Sequence, residues 1–235
     1  EFVTCSVDLA MMHDSGGPRR VEPILKRLGA KVWNPDKVVL ITDHFVPPVD
    51  AMSAAILDLT RKWADANGIS NFHDMQGICH VVLPERGHLS PGMFVVGGDS
   101  HSPTGGAFGS FMFGVGATDM AGVLVTGETW IKTPATIQVD IDGELGAGLS
   151  AKDIILHLCS RIGMGGAEYQ VIEYSGETVD TMSMTERMTL SNMAAELGAQ
   201  AGLIAADATT TAYIEAAGGN PGDPSKWQSD ADATF

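Results

Sequence analysis

The sequence has few basic residues and no long apolar run. Its 235 residues include 14 lysines and arginines against 29 aspartates and glutamates, a formal net charge of −15. This acidity argues against nucleic acid or an anionic membrane as a partner, because both are negatively charged. Glycine, proline, aspartate or histidine interrupts every apolar run well before the roughly 18 residues that a membrane-spanning helix needs. We therefore expect neither nucleic-acid binding nor a membrane span.

Cysteine is also scarce. Cys5, Cys79 and Cys159 are widely spaced and odd in number, and no CxxC pair is present. This pattern does not suit a disulfide framework. The first five residues show no basic segment leading into the apolar stretch of a signal peptide. The sequence therefore predicts a reducing, cytoplasmic location.

Apolar residues make up 44% of the chain, which excludes disorder and leaves enough material for a core. Helical spacing or capping patterns occur at Arg19–Leu28, Asp50–Ala66, Ala117–Thr126, Ser150–Arg161 and Ser183–Leu197. Strand patterns lie between them at Val38–Thr42, Phe94–Val96, Thr136–Gly143 and Val171–Tyr174. This alternation predicts an α/β fold of layered sheets with flanking helices.

A change of pattern near Lys132–Pro134 divides the chain. It predicts a first α/β domain over residues 1–134 and a second over residues 135–235. The final residues, Asp230–Phe235, follow a polar stretch rich in glycine and proline and contain no closing element. We therefore expect the second domain to be incomplete at its C-terminus and the chain to be a fragment.

Polar clusters follow two of the predicted strands: Asp43-His44 after Val38–Thr42, and Asp99-Ser100-His101 after Phe94–Val96. Ligands of open α/β sheets bind beyond the carboxyl ends of the strands. A carboxylate beside an imidazole raises the proton affinity of the ring and selects its tautomer, as a general acid requires. Polar residues also begin ordinary loops, but the repeated placement favours a functional site.

Four further side chains are candidates for the same site. Asn192 and Glu196 are four residues apart on a predicted helix among small and apolar neighbours. A carboxylate on such a face is either a paired core group or a functional one. His80 is likewise either a paired core group or a functional one. His13 lies in a His-Asp-Ser-Gly-Gly turn that is able to line the site.

Several stretches recur in the order of a known family across nearly all of the chain: Asp43–Pro47, Gly77–His80, Leu83–Glu85, Gly98–Gly109, Gly114–Met120 and Arg187–Ala199. Together they resemble the aconitase superfamily, and within it the large subunits of 3-isopropylmalate dehydratase and its homoaconitase-like relatives. The long Asp-Ser-His block is highly specific, whereas the Asp-His pair alone would not be. The resemblance implies the first two domains of the aconitase fold.

The resemblance implies a hydro-lyase of leucine and branched-chain amino acid biosynthesis. Such an enzyme isomerises 2-isopropylmalate to 3-isopropylmalate by dehydration and rehydration, with a [4Fe-4S] cluster as Lewis acid. Asp43 and His44 would protonate the departing hydroxyl. Asp99, His101 and Glu196 would act on the water or hydroxyl at the cluster. The expected substrate-binding positions are Ser100, His80, Asn192 and His13.

The same resemblance places the three cluster cysteines of the family in a third domain, beyond the matched stretches. None of Cys5, Cys79 and Cys159 occupies such a position, so we expect no cluster or other metal on this chain. The serine base of the family belongs to a swivelling domain, which is a separate small subunit in isopropylmalate enzymes. The expectation is a large-subunit fragment, inactive alone, that works with a small subunit on a hydroxy-dicarboxylate.

Other functions share part of this pattern. Homoaconitase, citramalate dehydratase and dimethylmalate dehydratase large subunits carry the same motifs. A mononuclear metal hydrolase is a hypothesis from another class; its ligands would be His44, Asp99, His101 and Glu196, although no tight ligand spacing supports it. A noncatalytic assembly module that presents its glycine-rich loops to a partner is the third hypothesis.

Overall fold

The computed structural model describes residues 1–228, which divide into two units, each made of separate chain segments. The first unit contains Glu1–Leu83, Phe94–Ser100 and Gly114–Lys132; the second contains Pro84–Met93, His101–Phe113 and the chain from Thr133 onward. The two domains expected on either side of residue 134 remain a prediction, and two segments before that point group with the second unit. Residues 229–235, the end of the predicted second domain, lie outside the described residues.

Strands and helices alternate along most of the chain, which confirms the predicted α/β class. The strands are β1 (Phe2–Ser6), β2 (Leu9–His13), β3 (Val38–Thr42), β4 (Asn71–Asp74), β5 (Phe94–Gly97), β6 (Phe111–Gly114), β7 (Glu128–Lys132), β8 (Thr136–Asp140), β9 (Val171–Ser175) and β10 (Ala201–Ile204). The helices are α1 (Pro18–Leu28), α2 (Ala51–Ala66), α3 (Cys79–Glu85), α4 (Ala117–Thr126), α5 (Ala151–Ile162), α6 (Glu177–Thr181), α7 (Met184–Met193) and α8 (Ala208–Ala216). Over residues 1–228, no helix combines the length and apolar character that a bilayer crossing requires.

A parallel sheet organises the first unit. Its strand order within this unit is β4-β3-β2-β5. All five residues of β2 and of β3 are buried, as expected of parallel strands covered on both faces. Because neighbouring strands run in the same direction, the chain leaves β2, β3 and β5 at one edge of the sheet. The sheet therefore brings three separate loops together.

Local signals explain where the flanking helices begin and end. Asp50 and Ser53 form a reciprocal capping box at the start of α2. Gly29 follows α1 with a φ of 61°, a left-handed conformation that favours glycine. These signals agree with the helices expected over Arg19–Leu28 and Asp50–Ala66.

The second unit has a three-stranded parallel sheet of order β10-β9-β8. Its core includes Ile155 from α5, Ile172 from β9 and Leu190 from α7, all fully buried. The helix expected over Ser183–Leu197 differs in its last turn: α7 ends at Met193 and a 3₁₀ turn over Ala194–Leu197 follows it. Such tightening is common where the final carbonyls of a helix lack α-helical partners.

Within the second unit, the 3₁₀ helix Ser102–Phe108 packs directly against the backbone of β10. A Cβ atom added to Gly106 would lie only 1.9 Å from the carbonyl oxygen of Gly202. No side chain fits at that distance, so the absence of a side chain at Gly106 sets the spacing between these two elements.

We predict that Gly106→Ala destabilises the protein by at least about 2 kcal/mol, because the new methyl group must displace backbone. Gly122→Ala is the matched control, since Gly122 lies inside α4 and a Cβ there meets nothing within 4 Å. That substitution should stabilise the protein by roughly 0.5–1 kcal/mol through helix propensity. Urea unfolding of both variants measures the two effects; equal midpoints would contradict the close-packing account.

Candidate active site

The ends of β2, β3 and β5 and the helix α3 bring five of the predicted site residues together in the first unit. His13 ends β2, Asp43 and His44 follow β3, and Asp99 follows β5 and Gly98. His80, from the first turn of α3, completes the group. The edge of the sheet at which ligands bind in open α/β folds therefore carries three imidazoles and two of the predicted carboxylates.

Asp99 lies at the centre of the three imidazoles. Its Oδ1 is 2.7 Å from Nε2 of His80, and its Oδ2 is 3.7 Å from Nε2 of His44 and 3.8 Å from Nε2 of His13. The Asp99 side chain is 17% exposed, so water screens these interactions only in part. The Asp99 carboxylate therefore lies within 3.8 Å of a ring nitrogen of each of the three histidines.

Asp43 and His44 form the closest acid–imidazole pair of the site. Oδ1 of Asp43 lies 2.6 Å from Nδ1 of His44, while Oδ2 accepts a 2.7 Å hydrogen bond from the Cys79 amide. Burial opposes ionisation of Asp43, but the hydrogen bonds from His44 and Cys79 outweigh it and lower the pKa of this carboxyl. With Nδ1 of His44 engaged and its side chain 39% exposed, Nε2 is the nitrogen available for proton transfer.

His13 is a buried, neutral imidazole. Its Nε2 donates to the carbonyl of Gly98 at 2.9 Å, and its Nδ1 accepts from the amide of Gly16 at 3.3 Å. Burial, followed by the nearby His44, lowers the pKa of His13. The ring stacks on that of His44 with centroids 3.9 Å apart. The main chain therefore engages both ring nitrogens of His13, and its ring face supports His44.

Asp14 belongs to the same cluster but was missed in the sequence analysis. Its side chain is completely buried and accepts hydrogen bonds from the amides of the loop that carries Asp43 and His44. The signal was available, because His13-Asp14 repeats the acid–histidine pattern found after β3. It was overlooked because Leu9–His13 was not assigned as a strand.

The second unit holds the remaining pair of charged candidates. Nε2 of His101 lies 3.1 Å from Oε1 of Glu196, with side chains 36% and 39% exposed. Asn192 donates from Nδ2 to Oγ1 of Thr104 at 2.8 Å, and that hydroxyl donates to the carbonyl of His101 at 2.6 Å. Thr104, also missed from sequence, therefore links Asn192 to the backbone of His101.

The chain passes from the first unit to the second between Ser100 and His101. Ser100 is exposed at the end of the Phe94–Ser100 segment of the first unit. The nine predicted site residues therefore fall into two groups: His13, Asp43, His44, His80, Asp99 and Ser100 in the first unit, and His101, Asn192 and Glu196 in the second.

The donor atoms do not fit a metal site in their observed arrangement. In the described part of the chain, His13, Asp14, Asp43 and His44 are the group whose ligand atoms come within 4.8 Å of one another. Both nitrogens of His13 and both oxygens of Asp14 are already hydrogen-bonded to the main chain. A cation would have to break these bonds, so this group is not a ready-made metal site. It contains only His44 of the four ligands that the metal-hydrolase hypothesis names.

The cysteines do not fit an iron–sulfur cluster either. Cys5 and Cys79 lie in the first unit and Cys159 in the second, and all three are free thiols. Burial, together with the neighbouring Asp43 carboxylate, strongly raises the pKa of Cys79. Because a cluster ligand must be a thiolate, this position disfavours ligation.

Comparison with known proteins decides the family. Residues 1–233 match the family described as "Aconitase family (aconitate hydratase)". The chain belongs to the aconitase family. This membership confirms the resemblance inferred from the Asp-Ser-His block and the other motifs.

Two relatives illustrate where the chain lies within the aconitase family. It is 42% identical over 232 residues to 3-isopropylmalate dehydratase large subunit 1 of Methanopyrus kandleri, covering 98% of this chain and 56% of that protein. It is 49% identical over 216 residues to the methanogen homoaconitase large subunit of Methanocaldococcus jannaschii, covering 92% and 51%. The chain therefore spans about half the length of these relatives.

Among solved structures, the chain is similar to aconitase X of Thermococcus kodakaraensis, with a TM-score of 0.49 and 14% identity. That similarity covers 86% of this chain and 52% of the other.

We predict that His13 keeps the neutral Nε2–H tautomer and titrates below the ordinary value of about 6.5. The unfolded chain then binds the proton first, so this residue lowers the free energy of unfolding as the pH falls below about 6.5. Long-range ¹H–¹⁵N NMR of the imidazoles measures both properties, with the exposed His157 as an internal reference. A midpoint above 6.5, or an Nδ1–H tautomer, would contradict the assignment.

Proposed function

We propose that this chain is part of the large subunit of a hydro-lyase that converts 2-isopropylmalate to 3-isopropylmalate by dehydration and rehydration. The observation that carries the proposal is Asp99 among three imidazoles, next to the Asp43–His44 pair, in a member of the aconitase family. Relatives named as 3-isopropylmalate dehydratase large subunits match nearly the whole chain, which supports this substrate.

His44 supplies the proton that the departing hydroxyl needs. Its Nε2–H donates to the oxygen as the C–O bond breaks, and the oxygen leaves as water. Asp43 stabilises the imidazolium before the transfer and holds the ring through Nδ1. In rehydration the same nitrogen takes a proton from the incoming water. Asp99 orients His80 through a 2.7 Å hydrogen bond and lies 3.7 Å from Nε2 of His44.

His101 and Glu196 form a second acid–imidazole pair, to which we assign proton exchange with a water or hydroxyl of the reaction. The Glu196 carboxylate at 3.1 Å orients the imidazole and is able to hold its proton. Asn192 supports this pair through Thr104 and the His101 backbone. Substrate contacts by Ser100, His80, Asn192 and His13 are part of the proposal.

The complete enzyme would require further components. We propose that a [4Fe-4S] cluster is held by ligands other than the three cysteines of this chain, since these do not fit one. A small subunit with the swivelling domain would supply the base for the second proton, which makes the enzyme a heteromer. The free cysteines support a reducing, cytoplasmic location.

A homoaconitase substrate is the second candidate, because identity to the methanogen homoaconitase large subunit reaches 49%. One side-chain substituent on the substrate changes discrimination by only about 1–3 kcal/mol, so a few residues decide between these substrates. Assays of the full-length protein with its small subunit on 2-isopropylmalate and homocitrate separate them. Turnover of 2-isopropylmalate supports the proposal; turnover of homocitrate alone transfers it to the second candidate, and turnover of neither rejects it.

We predict that Asp99→Asn lowers turnover of the complete enzyme by roughly 10²-fold or more, because the three imidazoles lose their shared carboxylate. The fold should persist, since Asn keeps the shape of the side chain. Steady-state kinetics and thermal unfolding measure the two effects. His157→Ala, an exposed change on α5, is the control and should leave both unchanged. Wild-type turnover in Asp99→Asn would remove this residue from the proton pathway.

We also predict a turnover reduced by roughly 10²-fold for Glu196→Gln, which keeps the side-chain shape but removes the charge that orients His101. Glu215→Gln on the surface of α8 is the matched control and should cost less than about 0.5 kcal/mol of stability with no loss of turnover. If the two variants behave alike in both assays, Glu196 is an ordinary solvated carboxylate.

A further inference from the structure

Asp14 is a fully buried carboxylate that binds three consecutive amides of one loop. Its Oδ1 accepts from the amides of Asp43 at 3.4 Å and His44 at 3.1 Å, and its Oδ2 accepts from Phe45 at 2.9 Å. Oδ1 also accepts from Ser15 at 3.1 Å. With 0% exposure, no solvent competes for these bonds. The backbone that carries the Asp43–His44 pair is therefore held by one side chain.

The sheet explains how Asp14 reaches this loop. β2 and β3 are parallel neighbours with His13 opposite Ile41, so the residue after β2 lies beside the chain that leaves β3. The Asp14 amide donates to the carbonyl of Ile41 at 3.1 Å, which continues the ladder by one residue. The main chain of Asp14 therefore binds the end of β3, and its side chain binds the loop that follows β3.

Among residues 1–228, no lysine or arginine forms an ion pair with Asp14. The ion-pair contact given for its carboxylate is Nδ1 of His44 at 4.0 Å. Asp74, at the end of β4, shows the ordinary structural alternative. Arg61 binds that carboxylate at 2.8 Å, and the Thr42 hydroxyl donates to it at 2.7 Å. A purely structural carboxylate at this sheet edge is thus paired with a cation, whereas Asp14 is not.

We propose that Asp14 is a positioning residue for proton transfer: it fixes the loop of residues 43–45 and directs its negative charge toward His44. This proposal depends on the proposed function in one respect, namely that His44 donates a proton in the reaction. The groups that face His44 are Asp43 at 2.6 Å, Asp99 at 3.7 Å, Asp14 at 4.0 Å and the stacked ring of His13. Of these, Asp14 is the one that also holds the main chain of His44.

Asp14→Asn tests the proposal in the full-length enzyme with its small subunit. The amide keeps one oxygen acceptor but removes the charge and presents N–H groups to at least one backbone amide. We expect hydrogen exchange at the amides of residues 43–45 to accelerate, and kcat to fall by roughly 10²-fold with a smaller change in KM. The alkaline limb of the kcat–pH profile should move to lower pH, because the protonated His44 loses a neighbouring negative charge.

Asp74→Asn is the matched control, because it removes a carboxylate from the same sheet edge outside the cluster. It should lower stability but leave the pH profile and exchange at residues 43–45 unchanged. The proposal is overturned if Asp14→Asn leaves both readouts at wild-type values, or if Asp74→Asn produces the same shift. If Asp14→Asn does not fold, wild-type exchange decides: amides of His44 and Phe45 as protected as those of β3 support the proposal, and rapid exchange overturns it.

A failed activity assay is distinguishable from a failed positioning role. If the wild-type enzyme turns over neither 2-isopropylmalate nor homocitrate, the proposed function is wrong. Exchange at residues 43–45 and the NMR titration of His44 in wild type and Asp14→Asn then still test whether Asp14 holds this loop and its histidine.

Discussion

The free-energy cost of burying carboxylates at the end of a parallel sheet determines how the loops of the first unit are arranged. Asp14 and Asp43 are both removed from water, and an ionised carboxylate in such a place must be well hydrogen-bonded. Asp14 meets this requirement with four amides, and Asp43 meets it with the Cys79 amide and the His44 ring. These bonds determine the path of the loops after β2 and β3, and the loops in turn position the imidazoles.

His13 and His44 have different roles because their ring nitrogens have different partners. The main chain engages both nitrogens of His13, so this ring serves as a neutral support. A carboxylate engages Nδ1 of His44 and leaves Nε2 toward Asp99, which suits proton donation. The second unit repeats the acid–imidazole arrangement with His101 and Glu196, whose side chains are 36% and 39% exposed. In both units, a carboxylate next to an imidazole therefore orients the ring for proton transfer.

The sequence predicted what local patterns encode. The apolar run Val38–Thr42 and the helix Ala117–Thr126 occur with the expected bounds, because β-branched runs and glycine stops act over a few residues. The acid–histidine clusters also followed from their position after strands. β2 was missed because Leu9–His13 combines alanine and methionines with little β-branched character, and Asp14 was missed with it.

Long-range packing could not be predicted in the same way. Residues 101–113 belong to the second unit because Gly106 lies against the backbone of Gly202, a contact between positions far apart in the chain. The 3₁₀ turn that ends the Ser183–Leu197 region depends likewise on tertiary contacts, since Ala194 lies against Gly202. Periodicity and capping signals carry no information about such neighbours.

The Asp43 carboxylate selects the tautomer of His44 and leaves Nε2 as the atom that transfers the proton. Long-range ¹H–¹⁵N NMR of the full-length protein, at a pH where His44 is neutral, tests this directly. We expect a hydrogen on Nδ1 of His44, opposite to the tautomer of His13. A hydrogen on Nε2 of neutral His44, with Nδ1 bare beside Asp43, would contradict it.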